Sequence, residues 1–447
     1  MPRRARRPPP PDHARLVAFE VLRAVDEQDA YANLELARRI RERRLAGRDA
    51  ALATELASGT LRMQGAYDAV LGALVHRPVD PPVRDALRLG CHQLLSMRVP
   101  SHAAVATTVS LVRQQVGHRV TGLVNAVLRK VAERPLEDWM DLLDADLATR
   151  TSHPAWVVAE LAAALGPRAD ELASLLAADN DAPTVTLVAR PGLATREELG
   201  GTPLAATPWA VAHQGGDPGS IAAVREGRAG VQDAGSQLVA AALAAATIEG
   251  PDLRWLDTCA GPGGKTALLA ALAAGRGARV LAGERQPHRA ALVRSATRAA
   301  RSGMAGVIVA DGTRPAWPRE TFDRVLVDAP CTGLGALRRR PEARWRRRPE
   351  DLGALVPLQR ALLGAALDST RAGGLVGYAT CSPVVGETAE VVRAVLADRS
   401  DVRLEPAPPL LPWLDDTESA VLPGALQLWP HRHGTDAMFL ALLRRSD

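Results

Sequence analysis

The sequence predicts a multidomain protein: an all-α N-terminal domain, a small α+β middle domain and a C-terminal α/β domain of Rossmann-like topology. Three observations lead there. Apolar residues recur at helical spacing from about 13 to 135, the pattern turns mixed over 146–228, and from 229 onward short apolar runs alternate with helical stretches. At 447 residues the chain also exceeds what one ordinary core organises.

Each domain follows from its own pattern. In 1–145, ARLVAFEVLRAVDE, RDALRLGCHQLLSMR and TGLVNAVLRKVAE each carry one apolar stripe, with polar or Gly/Pro breaks between them. The proline-rich 1–12 reads as disordered. In 146–228 a helical PAWVVAELAAALG precedes the strand-like TVTLVAR and Gly/Pro-rich turns. In 229–447 the runs LRWLDT, ARVLAGE, GVIVAD, DRVLVDAP and GGLVGYAT are nearly continuous in apolar residues, as strands of a parallel sheet covered on both faces are.

Composition excludes several classes. A hydrophobic fraction of 47% with 23% charged residues describes a soluble globular chain. No apolar h-region follows MPRRARRPPPP and no run reaches membrane length, so a cytoplasmic protein is expected; a monomer is the accompanying expectation. The four cysteines, at 91, 259, 331 and 381, form no CxxC pair or close ligand set, which argues for reduced thiols rather than zinc or disulfides. Of 55 basic residues only Lys130 and Lys265 are lysines, and coding bias accounts for most of that. Bias does not account for clustering. RRRPEARWRRRPE at 338–350 packs seven arginines and a tryptophan into 13 residues, a composition suited to phosphate contacts and base stacking. Arg338, Arg339, Arg340, Arg346, Arg347 and Arg348 are therefore candidate nucleic-acid contacts.

In a parallel α/β sheet ligands bind outside the carboxyl ends of the strands. The first such strand runs into CAGPGGKT, where Cys259, Ala260, Gly261, Pro262, Gly263, Gly264 and Lys265 form a tight turn onto a helix N-terminus. A nucleotide-triphosphate loop is excluded, because Cys259 stands where that pattern needs its first glycine. Later strands close on Glu284, Asp311 and Asp328. Glu284, about 20 residues past the glycine loop, has the position of an acid that accepts from both ribose hydroxyls of an adenosine-type cofactor. Cys331 and Cys381 also end strands, in VDAPCTG and YATCSP. Cys91, on a helical pattern, reads as packing, and Cys259 as packing or a backbone contact to cofactor.

Together DTCAGPGGKT, VDAPCTGLGALRRRPEARW, YATCSP and PHRHGTDAMF resemble the S-adenosylmethionine-dependent RNA cytosine-C5 methyltransferases of the Sun family. GTLR at 59–62 and VNAVLRK at 124–130 are similar to the NusB-like RNA-binding domain. The pairing resembles the family's methyltransferase B branch, which acts on small-subunit (16S) ribosomal RNA. Two departures stand out: Glu284 replaces the family's common aspartate, and TVTLVARPG matches only loosely.

The resemblance implies S-adenosyl-L-methionine as cofactor, bound by residues 259–265 with Glu284, Arg289, Asp311 and Asp328. It implies Cys381 as the nucleophile that adds to cytosine carbon 6, Cys331 as the group assisting elimination, and Asp328 beside the base. Residues alone leave the cysteine order open, since DNA cytosine methyltransferases take their nucleophile from a Pro-Cys pair such as 330–331. His431 and His433 of PHRHGTD are RNA contacts or structural hydrogen bonders, and no metal is required. Two rivals remain, a non-catalytic RNA-binding scaffold and the same chemistry on transfer RNA or another RNA.

Overall fold

The computed structural model describes residues 12–97 and 99–446. The disordered start expected over 1–12 lies outside them except for Asp12, whose carboxylate accepts the Arg15 N–H at 3.1 Å and caps helix His13–Gln28. The chain forms two compact units. One runs up to Ala155 and includes Arg338–Arg346; the other comprises Trp156–Leu337 and resumes at Arg347.

The first unit is helical, as the spacing of its apolar residues requires. Helices His13–Gln28, Ala32–Glu42, Gly47–Arg62, Gln64–Leu74, Pro81–Leu95, Ser101–Gln115 and Thr121–Val131 enclose a core that includes Val17, Phe19, Leu56, Tyr67, Leu87 and Leu128. Arg338–Arg346 groups here rather than with the C-terminal strands, and the reason is a helix end. The last carbonyls of an α-helix have no partner within it. Trp345 Nε1 donates to the Leu61 carbonyl at 2.9 Å, and the fully buried Arg344 donates to the carbonyls of Arg62 at 3.3 Å and Ser152 at 3.1 Å.

The second unit holds two sheets. The segment expected as a middle domain supplies β1 (Thr186–Ala189), β2 (Thr202–Pro203) and β3 (Ala210–Ala212), and the segment expected as the C-terminal domain opens with β4 (Ala229–Val231), which joins them in an antiparallel sheet in the order β2-β3-β1-β4. It has a small core of its own around Leu187, Leu199 and Val211. It nevertheless belongs to the same compact unit as the C-terminal strands.

Those strands are β5 (Arg254–Asp257), β6 (Arg279–Glu284), β7 (Met304–Val309), β8 (Phe322–Asp328), β9 (Thr370–Thr380), β10 (Val402–Glu405), β11 (Leu426–Gln427) and β12 (Phe439–Arg445). Their order is β10-β12-β9-β8-β5-β6-β7, with β11 paired to β12. From β9 to β7 every pairing is parallel, as the apolar runs predict. The sheet as a whole is mixed, because β12 returns antiparallel beside β9, and β10 and β11 pair antiparallel with β12.

Both faces are covered. Trp255, Leu326, Leu375 and Leu440 pack on one side with Leu268 and Leu243, while Leu256, Val325, Val376 and Phe439 pack on the other with Leu363 and Val392. Successive residues of a strand point to opposite faces, so a doubly covered strand must be apolar throughout. The chain extends the sheet from β5 through β6 to β7, then crosses back to place β8 on the other side of β5. This reversal is the crevice where α/β sheets take ligands.

The capping role of Arg344 gives a direct test. Arg344→Leu should destabilise the protein by about 1 to 3 kcal/mol, the cost of leaving buried acceptors unmet. Substitution of the exposed Arg340 should stay within about 0.5 kcal/mol. Urea unfolding of both variants checks the difference.

Candidate active site

The glycine loop is shaped by backbone as much as by side chains. After β5 the chain turns through 258–263 into helix Gly264–Ala274, with Gly263 at φ +109°, a region that side chains rarely enter. A Cβ on Gly261 would overlap the Glu284 carboxylate. That contact is a clamp. Gly261 N–H donates to Glu284 Oε2 at 3.0 Å, Gln286 N–H donates to Oε1 at 2.8 Å, and Arg289 Nη2 donates to the Gly261 carbonyl at 2.6 Å. Two N–H bonds leave lone pairs on both Glu284 oxygens, so the carboxylate is oriented without being saturated.

At the end of β5 the buried Asp257 accepts Thr266 Oγ1 at 2.7 Å and Cys259 N–H at 3.3 Å. Burial, with nearby Asp328 adding to it, pushes its pKa up to about 7. Burial likewise pushes the Cys259 thiol up to about 12, which removes it as a nucleophile at neutral pH. Lys265 and Pro262 differ in exposure, the first half-buried and the second open to solvent. Ala260 fixes the loop to its neighbour, its N–H meeting the Gly283 carbonyl at 3.0 Å.

Asp328 closes β8 and accepts Lys265 Nζ at 2.9 Å. Burial works against the Lys265 ammonium, but Asp328 and then Cys381 outweigh it and raise the pKa, so the amine stays charged. Asp311 lies one strand beyond Glu284 on the other side and is exposed. Its Oδ1 closes a local turn by accepting Thr313 N–H at 2.9 Å and Oγ1 at 2.7 Å, which holds the carboxyl below its usual range.

The two cysteines meet. β8 and β9 run parallel with Asp328 beside Ala379, and the Ala329 N–H continues the ladder to the Ala379 carbonyl at 2.8 Å. The turns that follow bring Cys331 Sγ within 3.5 Å of Cys381 Sγ. The contact with Cys381, and then burial, raise the Cys331 pKa, so Cys331 keeps its proton at neutral pH. The Lys265 ammonium is close enough to the Cys381 sulfur to interact with it, and a nearby positive charge favours a thiolate.

Sequence reasoning missed the support beneath them. Glu387 is fully buried and accepts from Thr332 N–H at 2.8 Å, Thr332 Oγ1 at 2.5 Å and Gln359 Nε2 at 3.1 Å. Thr332 Oγ1 also lies 3.0 Å from Ser382 Oγ, which ties one cysteine turn to the other. A signal existed: an acid inside SPVVGET, six residues past Cys381, breaks an otherwise apolar stretch.

The candidate RNA contacts scatter. Arg347 stays with this unit and donates to the Thr332 carbonyl at 3.0 Å, next to Cys331, while Arg348 is exposed. Arg338, Arg339, Arg340 and Arg346 belong to the helical unit, where Arg346 pairs with Asp29 and stacks on Tyr31 at 4.6 Å. His431 and His433 make structural hydrogen bonds: His431 Nε2 lies 2.8 Å from Glu171 Oε2, and His433 Nδ1 accepts Trp429 N–H at 2.9 Å. Among the described residues no group of three or more His, Cys, Asp or Glu side chains could hold a metal ion. No helix among them is long and apolar enough to cross a membrane.

Comparison with known proteins places the chain in a family. Residues 246–444 match the family model described as 16S rRNA methyltransferase RsmB/F, and residues 12–133 match the NusB family. A putative methyltransferase of Mycobacterium tuberculosis is 49% identical, covering 98% of this chain and 97% of its own. A probable ribosomal RNA small subunit methyltransferase B of Synechocystis is 32% identical over 97% of this chain and 99% of its own. Its counterpart in Bacillus subtilis is 32% identical over 96% and 98%. The fold is shared with the solved structure of a protein called PH0851, with a TM-score of 0.81 at 22% identity over 98% of this chain and 99% of that one. With a helical NusB domain ahead of a sheet that closes on the glycine loop and the paired cysteines, the chain belongs to the RsmB/F family of 16S rRNA methyltransferases.

Proposed function

We propose that this protein methylates carbon 5 of a cytosine in small-subunit ribosomal RNA through a covalent bond from Cys381 to carbon 6. The observation that carries the reading is the pair of thiols 3.5 Å apart beside the Lys265–Asp328 ion pair. The relatives named as small-subunit methyltransferase B, matched along nearly the whole chain, support ribosomal RNA as the substrate.

The residues fit S-adenosylmethionine as methyl donor. The Gly261 cradle, the oriented Glu284 carboxylate and the helix start at Gly264 would hold its ribose and its amino-acid end. When bound, it supplies an electrophilic methyl group. Carbon 5 of cytosine is a weak nucleophile, and addition of the Cys381 thiolate to carbon 6 moves ring electrons to carbon 5. Carbon 5 would then bond to the methyl carbon as the methyl–sulfur bond of the donor breaks, its electron pair staying on that sulfur. Asp328 faces the base, accepting from its amino group and stabilising a proton on the ring nitrogen. Water takes the carbon 5 proton, the C–H electron pair re-forms the carbon 5–carbon 6 double bond, and the sulfur–carbon bond breaks with its electrons returning to Cys381 as thiolate. Cys331, still carrying its proton, assists this release and returns a thiol hydrogen bond to the departing Cys381.

The opposite places of the cysteines predict opposite variants. Cys381→Ala should show neither methylation nor an RNA adduct. Cys331→Ala should still attack, then stall as a covalent protein–RNA complex that survives a denaturing gel with labelled RNA and S-adenosylmethionine. Adduct in Cys381→Ala with none in Cys331→Ala would reverse the roles.

Glu284→Ala should weaken S-adenosylmethionine binding by about 1 to 3 kcal/mol, the loss of a charged hydrogen bond, as read by calorimetry. For RNA, the exposed Arg340 and Arg348 are the members of the arginine run assigned to phosphate. Replacing either with alanine should flatten the slope of log affinity against log salt by roughly 0.7 to 0.9, measured by filter binding at several salt concentrations.

A further inference from the structure

Gln232 follows β4 and leads into helix Ala234–Ala245, and its backbone is fixed at both ends. Its N–H donates to the Thr186 carbonyl at 3.0 Å, and its carbonyl accepts Gln237 Nε2 at 3.0 Å. The next residue is pinned as well, Asp233 Oδ2 accepting N–H groups of Gly235 at 2.9 Å and Asp436 at 3.1 Å. The Gln232 side chain is treated differently. It is only 7% exposed, and neither its Oε1 nor its Nε2 has a hydrogen-bond partner among the described residues.

That amide lies against the glycine loop. Its carboxamide carbon is 3.9 Å from where a Cβ on Gly264 would stand, at the start of helix Gly264–Ala274. The helix start has no side-chain cap, its N-cap residue being Gly263. An unpaired buried amide group costs about 1 to 3 kcal/mol. An uncapped N-terminus presents free N–H groups and favours an anion. Donor capacity at the helix and combined donor and acceptor capacity at Gln232 thus meet at one turn.

We propose that Gln232 is a cofactor-binding residue that reads the amino-acid end of S-adenosylmethionine, with Nε2 donating to the carboxylate and Oε1 accepting from the ammonium. A zwitterion offers an acceptor and a donor on adjoining atoms, and a carboxamide is complementary to both at once. The same Oε1 is a poor neighbour for a phosphate, which carries only acceptors at neutral pH. Gln232 therefore selects an α-amino acid over a nucleotide phosphate at a loop that differs from a phosphate-binding loop by one residue, Cys259. The proposal deepens the cofactor reading given above and rests on it.

Two ligands separate the amino-acid end from the rest. S-Adenosylhomocysteine carries it; 5′-methylthioadenosine keeps the nucleoside and the thioether but lacks it. In calorimetry with the full chain, Gln232→Leu should lower affinity for S-adenosylhomocysteine roughly tenfold, as expected for lost bonds to charged groups, and leave 5′-methylthioadenosine unchanged. Gln232→Glu, similar in size but placing a carboxylate against the ligand's own, should lose more of the first ligand and none of the second. Retained binding of 5′-methylthioadenosine also reports that each variant is folded. Equal loss of both ligands, or unchanged S-adenosylhomocysteine binding in both variants, overturns the assignment. Glu284→Ala tests the underlying reading separately. Loss of both ligands there, with the Gln232 variants unaffected, overturns Gln232 alone. No loss of either ligand in Glu284→Ala overturns the cofactor reading itself.

Discussion

Parallel strands paired in register deliver the turns that follow them to neighbouring places, and the pairing of β8 with β9 does this for Cys331 and Cys381. Their positions along the chain would otherwise be independent, being fifty residues apart. The same sheet order sets Asp257 at the end of β5 next to Asp328 at the end of β8, with Glu284 one strand further. Chemistry here depends on ladder geometry before it depends on any side chain. A slip of one residue in β9 would turn Cys381 to the other face.

Turns are softer than strands, and the buried Glu387 stiffens these. A carboxylate away from water is costly unless it is fully hydrogen-bonded. This one is met by Thr332 through both its N–H and its hydroxyl, and by Gln359, whose Nε2 also reaches the Pro330 carbonyl at 2.9 Å. The Glu387 backbone carbonyl accepts Tyr378 Oη at 2.6 Å, so the anchor is tied back to β9 itself. Ser382 and Thr332 close the ring. Removing Glu387 would leave several donors unmet around one thiol, which makes it a residue that acts through Cys331.

Much of this was legible in the sequence because it is governed by local rules. Helical spacing marked the first unit, continuous apolar runs marked the central strands, and the glycine loop, Glu284 and the two cysteines stood at strand ends where the fold class puts ligands. What escaped depends on distant partners. Nothing local distinguishes Arg344, which caps a helix almost 300 residues earlier in the chain, from the exposed Arg348 four positions on. The short apolar run of β12 gives no sign of its direction, so the mixed character of the sheet was hidden. The histidines of PHRHGTD read from sequence as RNA contacts or structural hydrogen bonders, and nothing local named Glu171, 260 residues away, as the partner of His431.

The detour of Arg338–Arg346 into the helical unit has a consequence during synthesis. The core of that unit is drawn from residues up to 140, so it can collapse early on the ribosome. Its helix Gly47–Arg62 nevertheless receives Trp345 and Arg344 only after about 190 further residues beyond Ala155 have been made. At elongation rates of ~5–20 residues per second that is a wait of roughly 10 to 40 s. For that interval the carbonyls of Leu61 and Arg62 are served by water. The helical unit therefore gains its last contacts only when most of the other unit has already been translated, and an N-terminal fragment ending near 155 lacks the Trp345 and Arg344 donors to that helix end.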